Sequence, residues 1–217
     1  MSKYLWLIRH GESQGNLEGR IQGWADYPLT DRGHWQAAQL AERLAHWTAS
    51  RWGEGALCTL VTSPLKRALD TAHTIGQALD LPVRLEPRLR EYNFGPLTGL
   101  TSDEIVANFP LVRESWAVNR PWQPLPGEEG EAAFVVRVRT AMDEIVAEMP
   151  EDTTWGIVAH GGSLDACLRA WLKIDGSGGR RIFAFDNTSL SLVRIQARAH
   201  RIYLLNDTSH LQQIQDG

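Results

Sequence analysis

Two stretches of this sequence share a pattern able to do chemistry: Leu7-Ile8-Arg9-His10-Gly11-Glu12-Ser13 and Ile157-Val158-Ala159-His160-Gly161-Gly162-Ser163. Each is an apolar run of strand length, then a histidine, then glycine. Glycine lets the backbone turn sharply and lets a ligand come close. In an open α/β sheet, ligands bind outside the carboxyl ends of the strands. If the two strands are neighbours, His10 and His160 face one pocket. Arg9 adds a planar fork of donors suited to phosphate or carboxylate. One histidine at a sheet rim is commonly structural; two in matching contexts, with an arginine beside the first, point to an anion site.

A third element converges on the same place. Thr62-Ser63-Pro64-Leu65-Lys66-Arg67-Ala68 ends a second apolar strand and opens a helix. Arg67 then stands in the first turns, where the helix dipole attracts anions. Its alternative is a solvated helix face. His34, His46, His73 and His200 lie in helical or strand contexts without evident partners and read as ordinary surface or core residues, and His210 reads as structural. A metal site built from His10, His160 and Glu12 lacks any compact ligand spacing, so no metal and no cofactor is expected.

The elements that must position these groups alternate along the chain. Strands are expected at Tyr4 to Arg9, Ala56 to Thr62, Val83 to Leu85, Thr154 to Ala159, Ile182 to Phe185, Leu190 to Ile195 and Arg201 to Asn206. Thr30 reads as the N-cap of a helix with Trp35, Ala38, Leu40, Ala41, Leu44 and Ala45 on its buried face. Ser63-Pro64 reads as a second helix start, with proline at the first helical position. Pro87 to Gly99 is loop-like, Thr101 to Phe109 a short helix, and Glu131 to Met149 a long one. Ser163 is expected to cap a helix through Leu172. Strand alternating with helix implies parallel pairing with helices on both faces. The closely spaced final strands imply antiparallel pairing at one edge.

These residues carry a family resemblance. Arg9-His10-Gly11-Glu12-Ser13 with Asn16 is similar to the signature of the histidine phosphatase superfamily, also called the phosphoglycerate mutase-like family. The likeness continues through Gln22-Gly23, Pro28-Leu29-Thr30, Gly33, Ser63 to Ala68 with Thr71-Ala72, Leu89-Arg90-Glu91, Phe94-Gly95, Gly99 and Val158 to Gly162. Motifs in this order span nearly the whole chain. The resemblance implies a three-layer α/β/α sandwich with a mostly parallel central sheet and an antiparallel edge strand. It implies His10 as a nucleophile that becomes phosphohistidine. Arg9, Arg67 and His160 would bind the phosphoryl oxygens, with Asn16 as a further contact. Glu91 would protonate the leaving oxygen and then deprotonate water. Gln22 and Gly23 are candidate substrate contacts, and Glu12 and Ser13 serve either as support or as a turn. No metal is needed.

The chemistry fits those residue types. Phosphoryl transfer spreads negative charge over equatorial oxygens, which guanidinium and imidazole groups can hold. His10 must attack through a neutral ring nitrogen, and a hydrogen bond from the other nitrogen to a backbone carbonyl would fix that tautomer. Adjacent cations oppose protonation of the ring. Three readings follow: a phosphatase of small phosphorylated metabolites, a phosphoglycerate mutase-type isomerase, and a non-catalytic phosphate-binding regulatory domain. Mutases of the family usually carry tyrosine where Phe94 stands and a lysine near Ser102. This chain has neither, which favours hydrolysis.

The remaining composition sets bounds. With 217 residues and a hydrophobic fraction of 43%, one domain over 1–217 is expected, burying roughly 70% of its unfolded surface. The formal charge of −4 argues against a nucleic-acid partner. No apolar run is long enough for a membrane span and no signal-peptide cleavage pattern precedes Tyr4. Cys58 and Cys167 sit in apolar stretches and read as buried free thiols, which points to a reducing, cytoplasmic setting. A Pro/Trp-rich excursion at about 110–130 is the candidate specificity region, with Arg113 and Arg120 for a substrate carboxylate and Trp116 or Trp122 as a wall. Trp24 is another possible wall. An edge after Asn206 could pair two copies as a homodimer.

Overall fold

A computed structural model describes residues 2–47, 54–112, 125–174, 181–196 and 200–212. Among them, six strands form one sheet: β1 (Lys3–Arg9), β2 (Leu57–Thr62), β3 (Val83–Leu85), β4 (Thr154–Ala159), β5 (Leu190–Ile195) and β6 (Arg201–Asp207). Their spatial order is β3-β2-β4-β1-β5-β6. The first four pair in parallel, and β5 and β6 run antiparallel beyond β1. The long helices are α2 (Asp31–Ala45), α3 (Lys66–Leu79), α5 (Glu131–Glu148) and α6 (Gly161–Leu172). Shorter ones are α1 (Gln14–Leu17) and α4 (Ser102–Asn108).

Strand β1 shows why three layers form. Side chains alternate across a strand, and here both faces are apolar. Leu5 and Leu7 join Val138, Met142 and Ile145 of α5 and Leu164 and Leu168 of α6. Tyr4, Trp6 and Ile8 join Leu40, Ala41 and Leu44 of α2 and Ala68, Ala72 and Ile75 of α3. The sheet is thus covered on both sides, as parallel strands require. A smaller apolar cluster of Leu97, Ile105 and Val112 lies apart from these, with Ile21, Phe94 and Leu125 packed on it.

Several local expectations differ. Helix α3 starts at Lys66, with Leu65 extended at φ −64°, ψ 133°; Ser63 and Pro64 precede it, the Ser63 hydroxyl accepting the Leu65 N–H at 3.3 Å and pairing with His160 Nε2 at 2.8 Å. Helix α6 starts at Gly161 with His160 as N-cap. Ser163 is one turn in, and its hydroxyl accepts the His160 backbone N–H at 3.1 Å. Ile182 to Phe185 is not a strand, because the N–H groups of Ile182 and Phe183 go to the Asp165 side chain instead of a ladder. Helix α2 buries Gly33, Gln36, Ala37, Leu40, Ala41 and Leu44, while Trp35, Ala38 and Ala45 face out. Its face is rotated because Gly33 must meet the Glu12 backbone and Gln36 accepts the Glu12 N–H. Cys167 is buried but Cys58 is exposed, at the irregular start of β2, where the register shifts between Leu57 and Thr59.

No helix among the described residues is long and apolar enough to cross a membrane. Arg113, Trp116, Arg120 and Trp122 lie outside the described residues.

Candidate active site

The parallel register of β1 and β4 pairs Arg9 with Ala159, so the next residues, His10 and His160, leave the sheet side by side. Their ring centroids are 5.2 Å apart. His10 N–H still bonds the Ala159 carbonyl at 3.0 Å, which extends the ladder one residue into the site. The chain then turns at Gly11 and passes against α2. A side-chain carbon at Gly33 would lie 2.0 Å from the Glu12 carbonyl oxygen, so only glycine lets the helix come this close.

His10 is 3% exposed. Its Nδ1 lies 2.7 Å from the Gly11 carbonyl. A carbonyl only accepts, so Nδ1 carries the proton and Nε2 keeps its lone pair. Burial first, then the guanidinium groups of Arg67 and Arg9, hold the ring well below the usual imidazole range, and at neutral pH it is uncharged. His160 is likewise held well below that range by burial, Arg67, His10 and Arg9. Its Nε2 pairs with Ser63 Oγ at 2.8 Å.

Arg67 is buried in the first turn of α3. Its Nη1 and Nη2 donate to the carbonyls of Ala25 and Gly23 at 2.8 and 2.9 Å. Burial pushes its pKa down to about 10, which still leaves it charged. Arg9 donates to the Phe185 carbonyl. Each of these two arginines also keeps a buried Nε–H without a hydrogen-bond partner. Buried unpaired donors cost about 1–3 kcal/mol each, a deficit that an oxyanion in reach offsets.

Glu91 is 7% exposed and fixed from both oxygens. Oε1 accepts the Tyr92 N–H and Oε2 the Gly162 N–H, both at 2.9 Å. Its backbone carbonyl receives Trp24 Nε1 at 2.7 Å and Arg137 Nη2 at 3.2 Å. Arg137 of α5 also bonds the carbonyls of Arg88 and Arg90, clamping the loop that presents the carboxylate. Trp24 therefore braces Glu91; its ring is also covered by Arg90 at 5.1 Å.

A cavity of about 210 Å³ opens between these groups. Arg9, His10, Asn16, Gln22, Gly23, Arg67 and Glu91 all line it, together with Arg20, Phe94 and Arg181. His160 stands beside His10, 1% exposed and off the wall. Ser13 caps α1, and its hydroxyl lies within hydrogen-bond distance of both Gln22 Oε1 at 2.7 Å and Asn16 Oδ1 at 2.9 Å, its one proton serving one of them. Glu12 points to Thr30 and Arg32. His210 bonds Thr188 at 3.1 Å, and His200 packs on Trp171.

Residues not singled out in the sequence complete the site. Asn187 donates to the His10 carbonyl at 3.0 Å and to Asn16 at 3.3 Å. Thr71, already part of the family likeness, also receives the Gly11 N–H at 3.0 Å. Arg181 reaches Glu91 at 3.3 Å. The available signals were weak: a polar Asn187-Thr188-Ser189 cluster just before a strand, and paired arginines after Gly178-Gly179.

The model of the histidine phosphatase superfamily (branch 1) matches residues 5–208. Glucosyl-3-phosphoglycerate phosphatase of Mycobacterium tuberculosis is 35% identical over 198 residues, covering 87% of this chain and 83% of that one. Phosphoserine phosphatase 1 of Hydrogenobacter thermophilus is 32% identical over 209 residues, covering 95% and 93%. Phosphoglycerate mutase-like proteins also match, at 31% identity. The solved alpha-ribazole phosphatase of Shigella flexneri superposes with a TM-score of 0.78 at 27% identity, over 94% of this chain and 96% of that one.

Proposed function

Since the chain belongs to the histidine phosphatase superfamily and is a phosphatase, we propose that it hydrolyses small phosphate monoesters through a phosphohistidine formed at Nε2 of His10. The observation that carries this reading is the 2.7 Å bond between His10 Nδ1 and the Gly11 carbonyl. It leaves the lone pair on Nε2 of a ring that burial and two guanidinium groups keep neutral.

The steps follow from the groups at hand. Arg9, Arg67 and Asn16 hold the phosphoryl oxygens, and His160 backs the His10 ring. Glu91 takes a proton as the phosphate dianion settles beside it. Nε2 attacks phosphorus in line, the P–O bond to the leaving group breaks, and Glu91 returns the proton to the leaving oxygen. The same carboxylate then takes a proton from water as its oxygen attacks the phosphorus of phospho-His10. The P–N bond breaks, phosphate leaves, and the imidazole is restored. Two easier displacements replace one. Charge stabilisation comes from fixed guanidinium groups, so metal independence fits the family. Phe94 in place of tyrosine, and no lysine near Ser102, favour water over a second substrate hydroxyl as acceptor.

The test is hydrolysis of p-nitrophenyl phosphate in EDTA by the wild type and by His10→Ala, with acid-labile phosphate trapped on the protein after a rapid quench. Turnover and trapped phosphate in the wild type only, unchanged by EDTA, support the reading. Undiminished activity in His10→Ala sinks it. Conversion of 3-phosphoglycerate in the presence of 2,3-bisphosphoglycerate, without release of phosphate, would assign a mutase.

A further inference from the structure

Arg181 is the most exposed of the four arginines that line the cavity. Arg67 gives two N–H groups to backbone carbonyls and Arg9 gives one to a third. Arg20 lines the cavity but is bound to Glu18, Glu104 and the Gly99 carbonyl. The Arg181 side chain is 52% exposed, and Glu91 is its one partner among the described residues, at 3.3 Å. It lines the same cavity as His10, Arg9 and Arg67. Its guanidinium lies close over Gly161, where an added side-chain carbon would come within 2.9 Å of Nη1.

The backbone that carries it is nevertheless fixed. Asp165, 2% exposed on α6, accepts the N–H groups of Ile182 and Phe183, each at 2.9 Å. The other carboxylate oxygen is held by Arg169 at 2.9 Å, and Arg169 also reaches Glu131. A buried carboxylate thus anchors the two residues after Arg181 and leaves the arginine itself able to swing. A fixed backbone carrying a solvated, singly paired cation on the cavity wall suits a group that meets an arriving anion.

We propose that Arg181 is a catalytic residue, a third guanidinium that moves from Glu91 onto the phosphoryl group when substrate binds. The assignment rests on the phosphatase reading above for its catalytic meaning, but its binding claim stands apart. One N–H leaves the Glu91 oxygen and donates to a phosphoryl oxygen, and no covalent bond changes in this exchange.

The test is binding of inorganic phosphate to the full chain by calorimetry, which does not depend on turnover, alongside hydrolysis of p-nitrophenyl phosphate. The expected result is a loss of phosphate affinity of about tenfold or more in Arg181→Gln, the weight of one charge-assisted contact, partly regained in Arg181→Lys, with an unchanged melting temperature. Phosphate affinity within twofold of wild type in Arg181→Gln overturns the assignment, while His10-dependent hydrolysis leaves the phosphatase reading standing. No hydrolysis by the wild type, with Arg181-dependent phosphate binding, overturns the phosphatase reading and keeps the anion site. No phosphate binding by the wild type overturns both. A rise in KM for phosphoserine with unchanged phosphate affinity would place Arg181 on a substrate carboxylate instead and overturn the phosphoryl assignment.

Discussion

The Gly162 backbone N–H donates to Glu91 Oε2 at 2.9 Å, and the Gly162 Cα lies so close to the carboxylate that an added side-chain carbon would sit 2.1 Å from Oε1. The Glu91 carboxylate and the second histidine loop are therefore one packed unit. Gly162→Ala should displace Glu91 and lower kcat by about 100-fold, the scale of a lost general acid. His10, the proposed nucleophile, should survive, so trapped phosphate on it should persist with an activated aryl phosphate. Normal kcat in Gly162→Ala would show that the carboxylate tolerates the shift.

Arg67→Lys keeps the charge and loses the fork. One ammonium cannot span the Gly23 and Ala25 carbonyls as two guanidinium nitrogens do. KM for p-nitrophenyl phosphate should rise about tenfold, and stability should fall by about 1–3 kcal/mol as a buried carbonyl loses its donor. Steady-state kinetics and urea unfolding read both. Wild-type stability would mean that water replaces the missing donor.

Stability should fall with acid in a defined window. His10 and His160 are neutral in the fold because burial and guanidinium charge hold both well below the usual range. The unfolded chain takes up those protons near pH 6.5. Above that pH the two states bind equal protons at these sites, so the contribution is constant. As pH drops below about 6.5, the unfolded state gains protons first, and each histidine costs about 1.4 kcal/mol per pH unit until its folded value is reached. Urea unfolding at pH 7.5 and 5.5 should show this loss, reduced by about 1.4 kcal/mol in His10→Asn. The same pH dependence in both proteins would contradict it.

Asp165→Ala removes the acceptor of two backbone N–H groups and the close partner of Arg169, which is itself 7% exposed. Breaking a buried pair from one side costs about 3–5 kcal/mol, read as a lower midpoint in urea. Phosphate affinity should fall with it, because the segment bearing Arg181 loses its anchor. Asp165→Asn keeps one carbonyl acceptor and should lie between.

The sequence by itself determined the parts whose signal is local. Alternating apolar residues on both faces of Tyr4 to Ile8 require a strand covered on both sides. The Thr30 cap, the junction before Arg67 and the two His-Gly turns are likewise set by neighbouring residues. Where several local signals compete, the fold decided. Ser63 and Ser163 both look like helix caps, but the first hydroxyl is engaged with His160 and the second with the His160 backbone. Trp35 looks like core, yet the glycine that must touch Glu12 rotates α2 and turns the tryptophan outward.

What only the tertiary structure decided is the set of contacts between residues far apart in the chain. The Arg180-Arg181 pair does not by itself mark the second arginine as a site residue, because its partner is Glu91, ninety positions away. Nothing near Asn187 reveals that it holds the carbonyl of His10. Those pairings exist because β4 and β5 flank β1 in the sheet, and strand order is a property of the packed chain. A residue's type is written locally, but the charge it faces, and hence the proton it keeps or loses, is set by which distant strand lies beside it.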